Sequence, residues 1–216
     1  MQARAHELAG KRGNTLLFTG INFVVMSGEG LTITGSNGVG KSTLLRILAG
    51  LLPAQAGQFT LETANGTSLS ISDEVHYLGH RNGMKRELTV YENLSFWKKF
   101  QAGDEDDGLE IDEAIARVEL DGIAHLPFEY LSAGQQRRIA LARLLVAARP
   151  LWLLDEPTAA LDKRSERLFG DIASQHLGEG GMLIAATHLP LEIPNITTIE
   201  ITPAGHSDDQ QAGIWL

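Results

Sequence analysis

Hydrophobic positions along the chain follow two periods, and the switches between them mark out the elements. Leu16, Phe18, Ile21, Phe23 and Val25 fall close to every second position, and Phe59 and Leu61 repeat the pattern further on. Strands with one buried face carry this alternation, so antiparallel strands are predicted around both groups. Three stretches are apolar without alternation: residues 31–34, residues 151–154 and Met182–Ala186. Short runs with no polar face belong to strands buried on both sides, as in a parallel sheet. The period lengthens to that of a helix at residues 44–48, at Val90, Leu94 and Trp97, and at Ile139, Ala142, Leu145 and Val146.

Local signals bound the helices. Thr89 with Glu92, and Ser132 with Gln135, have the spacing of a capping box, so helices are predicted to start beside Thr89 and Ser132. Pro150 is expected to stop the second of these. A mostly helical lobe over about 88–148 follows from these signals, set between strands. Asn65-Gly66 is a hairpin signal, although residues 62–74 read equally well as an irregular surface loop. The acidic patch 104–107 reads as a solvated loop without chemistry. No internal repeat is present.

Polar residues with chemical potential cluster where the apolar strands end. Gly35-Ser36-Asn37-Gly38-Val39-Gly40-Lys41-Ser42 fits G-x-x-x-x-G-K-[ST] and lies between the strand at 31–34 and the helix at 44–48. Its glycines let backbone N–H groups turn inward, and the helix behind points its positive end at the same place. That arrangement takes the phosphates of a nucleoside triphosphate. Lys41 is placed to reach the β and γ phosphates and Ser42 to hold magnesium, with Thr43 closing the set. Taken alone, the octapeptide could be a chance glycine-rich turn.

Asp155-Glu156 ends the second apolar run, and near a nucleotide the pair has a joint role: Asp155 orients magnesium and Glu156 polarises the attacking water. Thr187-His188 ends the third run. A lone histidine in such a place is more often structural. Three strands thus present polar residues at their carboxyl ends, where open α/β sheets bind ligands. The helix start at Ser132, Gly134 and Gln135 is either an ordinary cap or a second anion-binding terminus.

Composition narrows the possibilities. A chain of 216 residues, 43% hydrophobic, suits one compact domain with a semi-independent lobe. The net charge of −9 carries no basic footprint for nucleic acid. Arg137, Arg138, Arg143 and Arg149 cluster locally and read as a solvated or phosphate-adjacent helix face. Without cysteine there are no disulfides or thiolate metal sites, which is compatible with a reducing compartment. Residues 1–13 are polar and lack the apolar core of a signal peptide. No run has the length of a membrane span, so any transport path must come from separate chains.

With these residues in family order, the chain resembles the nucleotide-binding subunit of ATP-binding cassette (ABC) transporters over nearly its whole length. The resemblance covers the phosphate loop at 35–42, a signature at 131–135, the strand ending in Asp155 with Glu156 as catalytic carboxylate, the Ala160-Leu161-Asp162 loop and the switch histidine His188. It implies an α/β P-loop NTPase fold: a RecA-like core, an antiparallel β region and a helical subdomain at about 88–148, all within one ABC ATPase domain over 1–216. It also implies ATP and Mg as ligands, integral membrane subunits as partners, and a peripheral location on the cytoplasmic face of the inner membrane. Two copies are expected to bind head to tail, so that Ser132 and Gly134 of one face the γ-phosphate held by Lys41 and Ser42 of the other.

Three departures from the family pattern stand out. His80 occupies the place of a glutamine that binds magnesium and water in the loop leading to the helical lobe; it either replaces that function or points away from the nucleotide. No aromatic ring stands near Lys11-Arg12 to stack on adenine, leaving the Arg12 guanidinium or apolar contacts alone to hold the base. Ala133 replaces the first glycine of the signature, a mild change unless that residue needs positive φ.

Gly79-His80, Leu88-Thr89, Glu92-Asn93-Leu94-Ser95-Phe96 and Leu-Ser-Ala-Gly-Gln-Gln-Arg-Arg look like the bacterial cytochrome c biogenesis haem-export ATPases. The short segment after the strand-like residues 197–201 agrees, leaving no room for a regulatory domain. No C-x-x-C-H is present, so direct haem binding is not expected. Rival readings are the ATPase of another small exporter, a non-transport ABC-type ATPase, and a P-loop kinase or GTPase. The last lacks an N-K-x-D guanine motif and leaves residues 132–135 without a role.

Overall fold

The computed structural model describes residues 1–101, 108–159 and 161–204. The acidic patch at 104–107 and Ala160 lie outside the described residues.

Two sheets form the frame. The strands β1 (Gln2–Arg12), β2 (Thr15–Met26) and β4 (Ala56–Glu62) make an antiparallel sheet in the order β2-β1-β4. The strands β3 (Gly30–Thr34), β5 (Val75–Leu78), β6 (Leu151–Asp155), β7 (Met182–Ala186) and β8 (Ile196–Glu200) make a parallel sheet in the order β5-β6-β7-β3-β8. The helices are α1 (Lys41–Leu48), the short α2 (Ile71–Glu74), α3 (Val90–Gln101), α4 (Ile111–Arg117), α5 (Ala133–Leu145) and α6 (Lys163–Gly178).

The apolar runs are strands for the predicted reason. Every residue of β6 and β7 is buried, and alternate side chains enter different cores. Leu151, Leu153, Met182, Ile184 and Ala186 pack with α1 and the antiparallel sheet, whereas Trp152, Leu154, Leu183 and Ala185 pack with α3 to α6. The two-residue period of a strand is what divides one sheet between two cores. Helices α3, α4 and α5 lie in the segment between β5 and β6 and share the second core with the sheet.

Both capping boxes form. The Ser132 hydroxyl accepts from Gln135 N at 3.3 Å while Gln135 Oε1 accepts from Ser132 N at 2.9 Å. Thr89 and Glu92 exchange the equivalent bonds at 3.1 and 2.8 Å. Helix α5 ends at Leu145, five residues before Pro150, so the proline follows the stop and does not impose it.

The polar opening segment, unassigned by pattern, is β1, the central strand to which both β2 and β4 pair. Its buried positions are Ala3, Ala5, Leu8, Ala9 and Gly10, and the register slips between Ala5 and Leu8, where Glu7 has φ 49°. Small side chains and a bulge erase the alternation that signals a strand. Residues 62–74 are mostly loop, with Gly66 in a turn between Thr63 and Thr67 and a single bridge from Glu62 to Ser68.

Candidate active site

The phosphate loop is held open by glycine at two positions where no other residue fits. Gly35 has φ 137°, and a Cβ there would stand 2.6 Å from the Ile201 carbonyl oxygen. Gly40 has φ 116°, and its Cβ would meet the Phe18 ring at 2.9 Å. The fully buried Phe18 thereby floors the loop from below; truncating it to alanine is expected to cost about 3–5 kcal/mol. Gly40 caps α1 without any side-chain hydrogen bond, so the first N–H groups of that helix are left for a ligand.

A cleft of about 440 Å³ opens over this loop. Asn37, Gly38, Gly40, Lys41, Ser42 and Thr43 line it from the loop and helix. Asp155 and Glu156 enter from the end of β6, His188 from beyond β7, and His80 from the loop after β5. Arg12 and Leu17, at the β1–β2 corner, complete the wall with Ala159. Gly35, Ser36 and Val39 support the loop without lining the cleft; Val39 is buried beneath it.

Four contacts organise the charged centre. Lys41 Nζ donates to Gly35 O at 2.8 Å, to Ser36 O at 3.2 Å and to His188 Nε2 at 3.2 Å. Glu156 Oε1 stands 3.4 Å from the same His188 nitrogen. Glu156 takes a left-handed backbone, φ 50°, which is uncommon for a residue with a Cβ and turns the chain sharply at the end of β6. Its N–H remains bonded to Ala186 O at 2.8 Å, so that turn is tied to β7.

The donor set fits a nucleoside phosphate with a hard divalent cation. Backbone N–H groups, a helix start and a lysine present positive charge, and the Ser42 hydroxyl with the buried Asp155 carboxylate supplies oxygen ligands of the kind magnesium takes. His80 is exposed and lines the cleft. For the base, Arg12 and Leu17 offer respectively a guanidinium plane and an apolar contact.

Ser132, Gly134 and Gln135 do not line this cleft; they stand at the start of α5. Ala133 is the first helical residue there and has no positive φ, so its methyl is tolerated. Asp162 caps α6 by accepting from Ser165 N at 2.8 Å, and those bonds hold its carboxyl below the usual range.

Residues 18–159 match the family described as ABC transporter. The chain belongs to the ABC transporter family. Curated relatives include two named cytochrome c biogenesis ATP-binding export protein CcmA. That from Rhizobium meliloti is 51% identical, covering 95% of this chain and all of its own length. That from Mesorhizobium japonicum is 53% identical, covering 89% of this chain and 94% of its own. Solved structures agree on the fold: an ABC transporter ATP-binding protein from Pyrococcus furiosus has a TM-score of 0.78 at 21% identity, covering 93% of this chain and 98% of its own. The dimeric bacterial cassette MJ0796 reaches 0.77 at 23%, with 92% and 94% covered. This ABC chain is accordingly an ATP-hydrolysing, nucleotide-binding subunit, and its fold is the P-loop ABC ATPase fold with RecA-like core and helical subdomain.

The arginine reading needs correction. Arg137 and Arg143 are buried, 5% and 3% exposed, and neither forms a solvated face. Arg143 donates to the carbonyls of Tyr77 and Asn82 and lies 4.2 Å over the Trp97 ring. Burial holds both guanidinium groups below their usual pKa, Arg143 at about 10. A signal was present: Ala140, Leu141 and Leu144 follow Arg137 at i+3, i+4 and i+7 and are all buried, which puts Arg137 on the apolar stripe.

Proposed function

We propose that this subunit hydrolyses Mg-ATP as one domain over 1–216, its helical subdomain at about 88–148, and that it supplies the work of a membrane assembly in cytochrome c biogenesis, at a haem export or release step. The observation that carries the hydrolytic part is the convergence of Lys41, Asp155, Glu156 and His188 on one cleft from three strand ends. The biogenesis part is supported by relatives of that name at about half identity over 89–95% of the chain.

In this reading the Lys41 ammonium and the N–H groups of the loop bind and orient the β and γ phosphates. Ser42 and Asp155 hold magnesium, which neutralises phosphate charge when bound. Glu156 accepts the proton of the attacking water, and His188 donates toward the γ-phosphate. The cleft wall at Arg12 and Leu17 holds the base. His80 stands in for the glutamine of the family pattern, within reach of water at the cleft edge.

The signature residues of one copy complete the cleft of a second, head to tail, which accounts for Ser132, Gly134 and Gln135 being absent from the lining of their own cleft. Closure follows because nucleotide makes more contacts in the closed dimer than in the open one. Among the described residues no helix is long and apolar enough to cross a membrane. Integral membrane subunits provide the path, and the subunit sits peripherally on the cytoplasmic face of the inner membrane.

The test is a chromosomal Glu156→Gln allele. It should assemble with its membrane partners yet leave periplasmic c-type cytochromes without covalent haem, while b-type cytochromes keep their spectra. Normal haem staining of the c-type proteins would reject the biogenesis assignment and leave the ATPase standing.

A further inference from the structure

One guanidinium divides its donors between the backbone around the hydrolytic carboxylate and the loop that carries His80. Arg137 Nη2 donates to Asp155 O at 2.9 Å and to Glu156 O at 2.7 Å, and Nε donates to Pro157 O at 3.2 Å. Nη1 donates to Gly79 O and Asn82 Oδ1, both at 3.2 Å. An arginine has five N–H donors in a rigid plane, and here there are five acceptors. Three successive carbonyls belong to the turn in which Glu156 is left-handed; the other two acceptors belong to the loop that carries His80.

These facts meet a mechanical need. A left-handed non-glycine residue persists only where its surroundings over-determine it. The Glu156 N–H is fixed by Ala186 and its carbonyl also accepts from Ala159 N at 3.1 Å, but among the described residues Arg137 is the one cationic anchor of that carbonyl and of both flanking ones. The arginine sits on the second turn of α5, a helix whose start is held by its capping box, so the fork has a stiff mount. A lysine could not replace it, because its ammonium is a point and cannot reach acceptors on both sides of a plane.

We infer that Arg137 is a positioning residue: it sets the aim of the Glu156 carboxylate and ties that carboxylate to the loop bearing His80. This rests on the reading of Glu156 as the hydrolytic group. Displacing residues 79–82 shifts two of the five acceptors, and the planar fork passes the displacement to the Glu156 peptide. The loop at the cleft edge thereby gates hydrolysis without touching phosphate.

The test compares Arg137→Lys, Glu156→Gln and the double variant, as full-length protein in its assembled complex. Single-turnover hydrolysis of Mg-ATP gives the chemical rate, and titration with a fluorescent ATP analogue gives affinity. Arg137→Lys is expected to lower the hydrolytic rate about 100-fold, the scale of a misplacement near 1 Å, while affinity stays within about twofold. The double variant should be no slower than Glu156→Gln alone, because an arginine acting through Glu156 has nothing left to position. Asn82→Ala trims one acceptor at a part-exposed position and should slow hydrolysis about threefold, the effect of one hydrogen bond, with affinity and melting temperature unchanged. That variant decides the matter if Arg137→Lys does not fold. Parent rates in both Arg137→Lys and Asn82→Ala, or losses that multiply in the double variant, overturn the inference. A parent rate in Glu156→Gln instead sinks the underlying reading of the carboxylate, and the inference with it.

Discussion

Lys41 Nζ donates to His188 Nε2 across 3.2 Å, joining residues 147 positions apart in the chain. The contact asks that nitrogen to accept. Glu156 Oε1, 3.4 Å from the same atom, asks it to donate. One nitrogen serves one partner at a time, so the centre of the cleft is a three-way contest among Lys41, His188 and Glu156. In the proposed reading a γ-phosphate would take the ammonium and leave Nε2 to the phosphate or the carboxylate.

His188→Ala should therefore separate binding from hydrolysis. Removing the imidazole takes away one competitor for Lys41, so ATP affinity should stay within about threefold of the parent or improve. Hydrolysis should fall at least about tenfold if, as proposed, the imidazole steadies the γ-phosphate. Equal losses in both measurements would show instead that His188 serves mainly to bind.

Glu156→Gln keeps the side-chain volume and the Cβ that the left-handed backbone already tolerates, and it removes only the ability to accept a proton. The rate should drop by about 10²–10⁴-fold with nucleotide binding retained, and a closed dimer should accumulate in ATP and magnesium. Size-exclusion chromatography with and without nucleotide reads the dimer directly. A dimer that forms equally in parent and variant under turnover would argue that this carboxylate does not limit reopening.

The division of Ser132 and Gly134 from their own cleft makes a prediction about mixed dimers. With Lys41→Ala in one chain and Gly134→Asp in the other, both defects fall in the same composite site and the second site stays whole. With both changes in one chain and a wild-type partner, each site carries one defect. The first arrangement should keep one site able to occlude ATP, and the second should keep none. Equal occlusion in the two arrangements would contradict a head-to-tail dimer.

The parts of this site that local chemistry specifies could be read before the fold was known. The phosphate loop needs glycine at Gly35 and Gly40 because other atoms come within 3 Å of where a Cβ would be, and that need is written into the octapeptide itself. Strands β6 and β7 were visible because burial on both faces leaves no polar position. Strand β5 was hidden: Val75-His76-Tyr77-Leu78 places a histidine in a wholly buried position, which pattern reading takes for a surface residue. Strand β1 was hidden by its alanines and the slip at Glu7. Arg137 was hidden for a related reason, since a charge on an apolar stripe is read as solvent-facing until its acceptors, 18 to 58 residues away, are folded against it.

That buried histidine also makes stability depend on pH. His76 is fully buried; its Nε2 donates to Ala147 O at 2.7 Å, and its Nδ1 has no partner among the described residues. Burial is the main force pushing its pKa down to about 3; Arg143, Arg149 and His176 push the same way, and the bond to Ala147 opposes them. In the unfolded chain a histidine takes its proton near pH 6.5. Below that value the unfolded state binds a proton that the folded state refuses, so stability rises with pH across this range. The contribution is complete above about pH 6.5 and is lost as the pH falls toward the folded value. Between about pH 7.5 and about pH 5.5 the loss from this one group should be about 1.4 kcal/mol. His176, stacked on Trp152 and lowered mainly by burial, adds to it in the same direction. Urea unfolding at these two pH values should show the fall. In His76→Gln, which can still donate to Ala147 O but cannot titrate, the fall should be smaller by about that amount. Parallel profiles for parent and variant would show that a proton on His76 is not what acid adds to the unfolded chain.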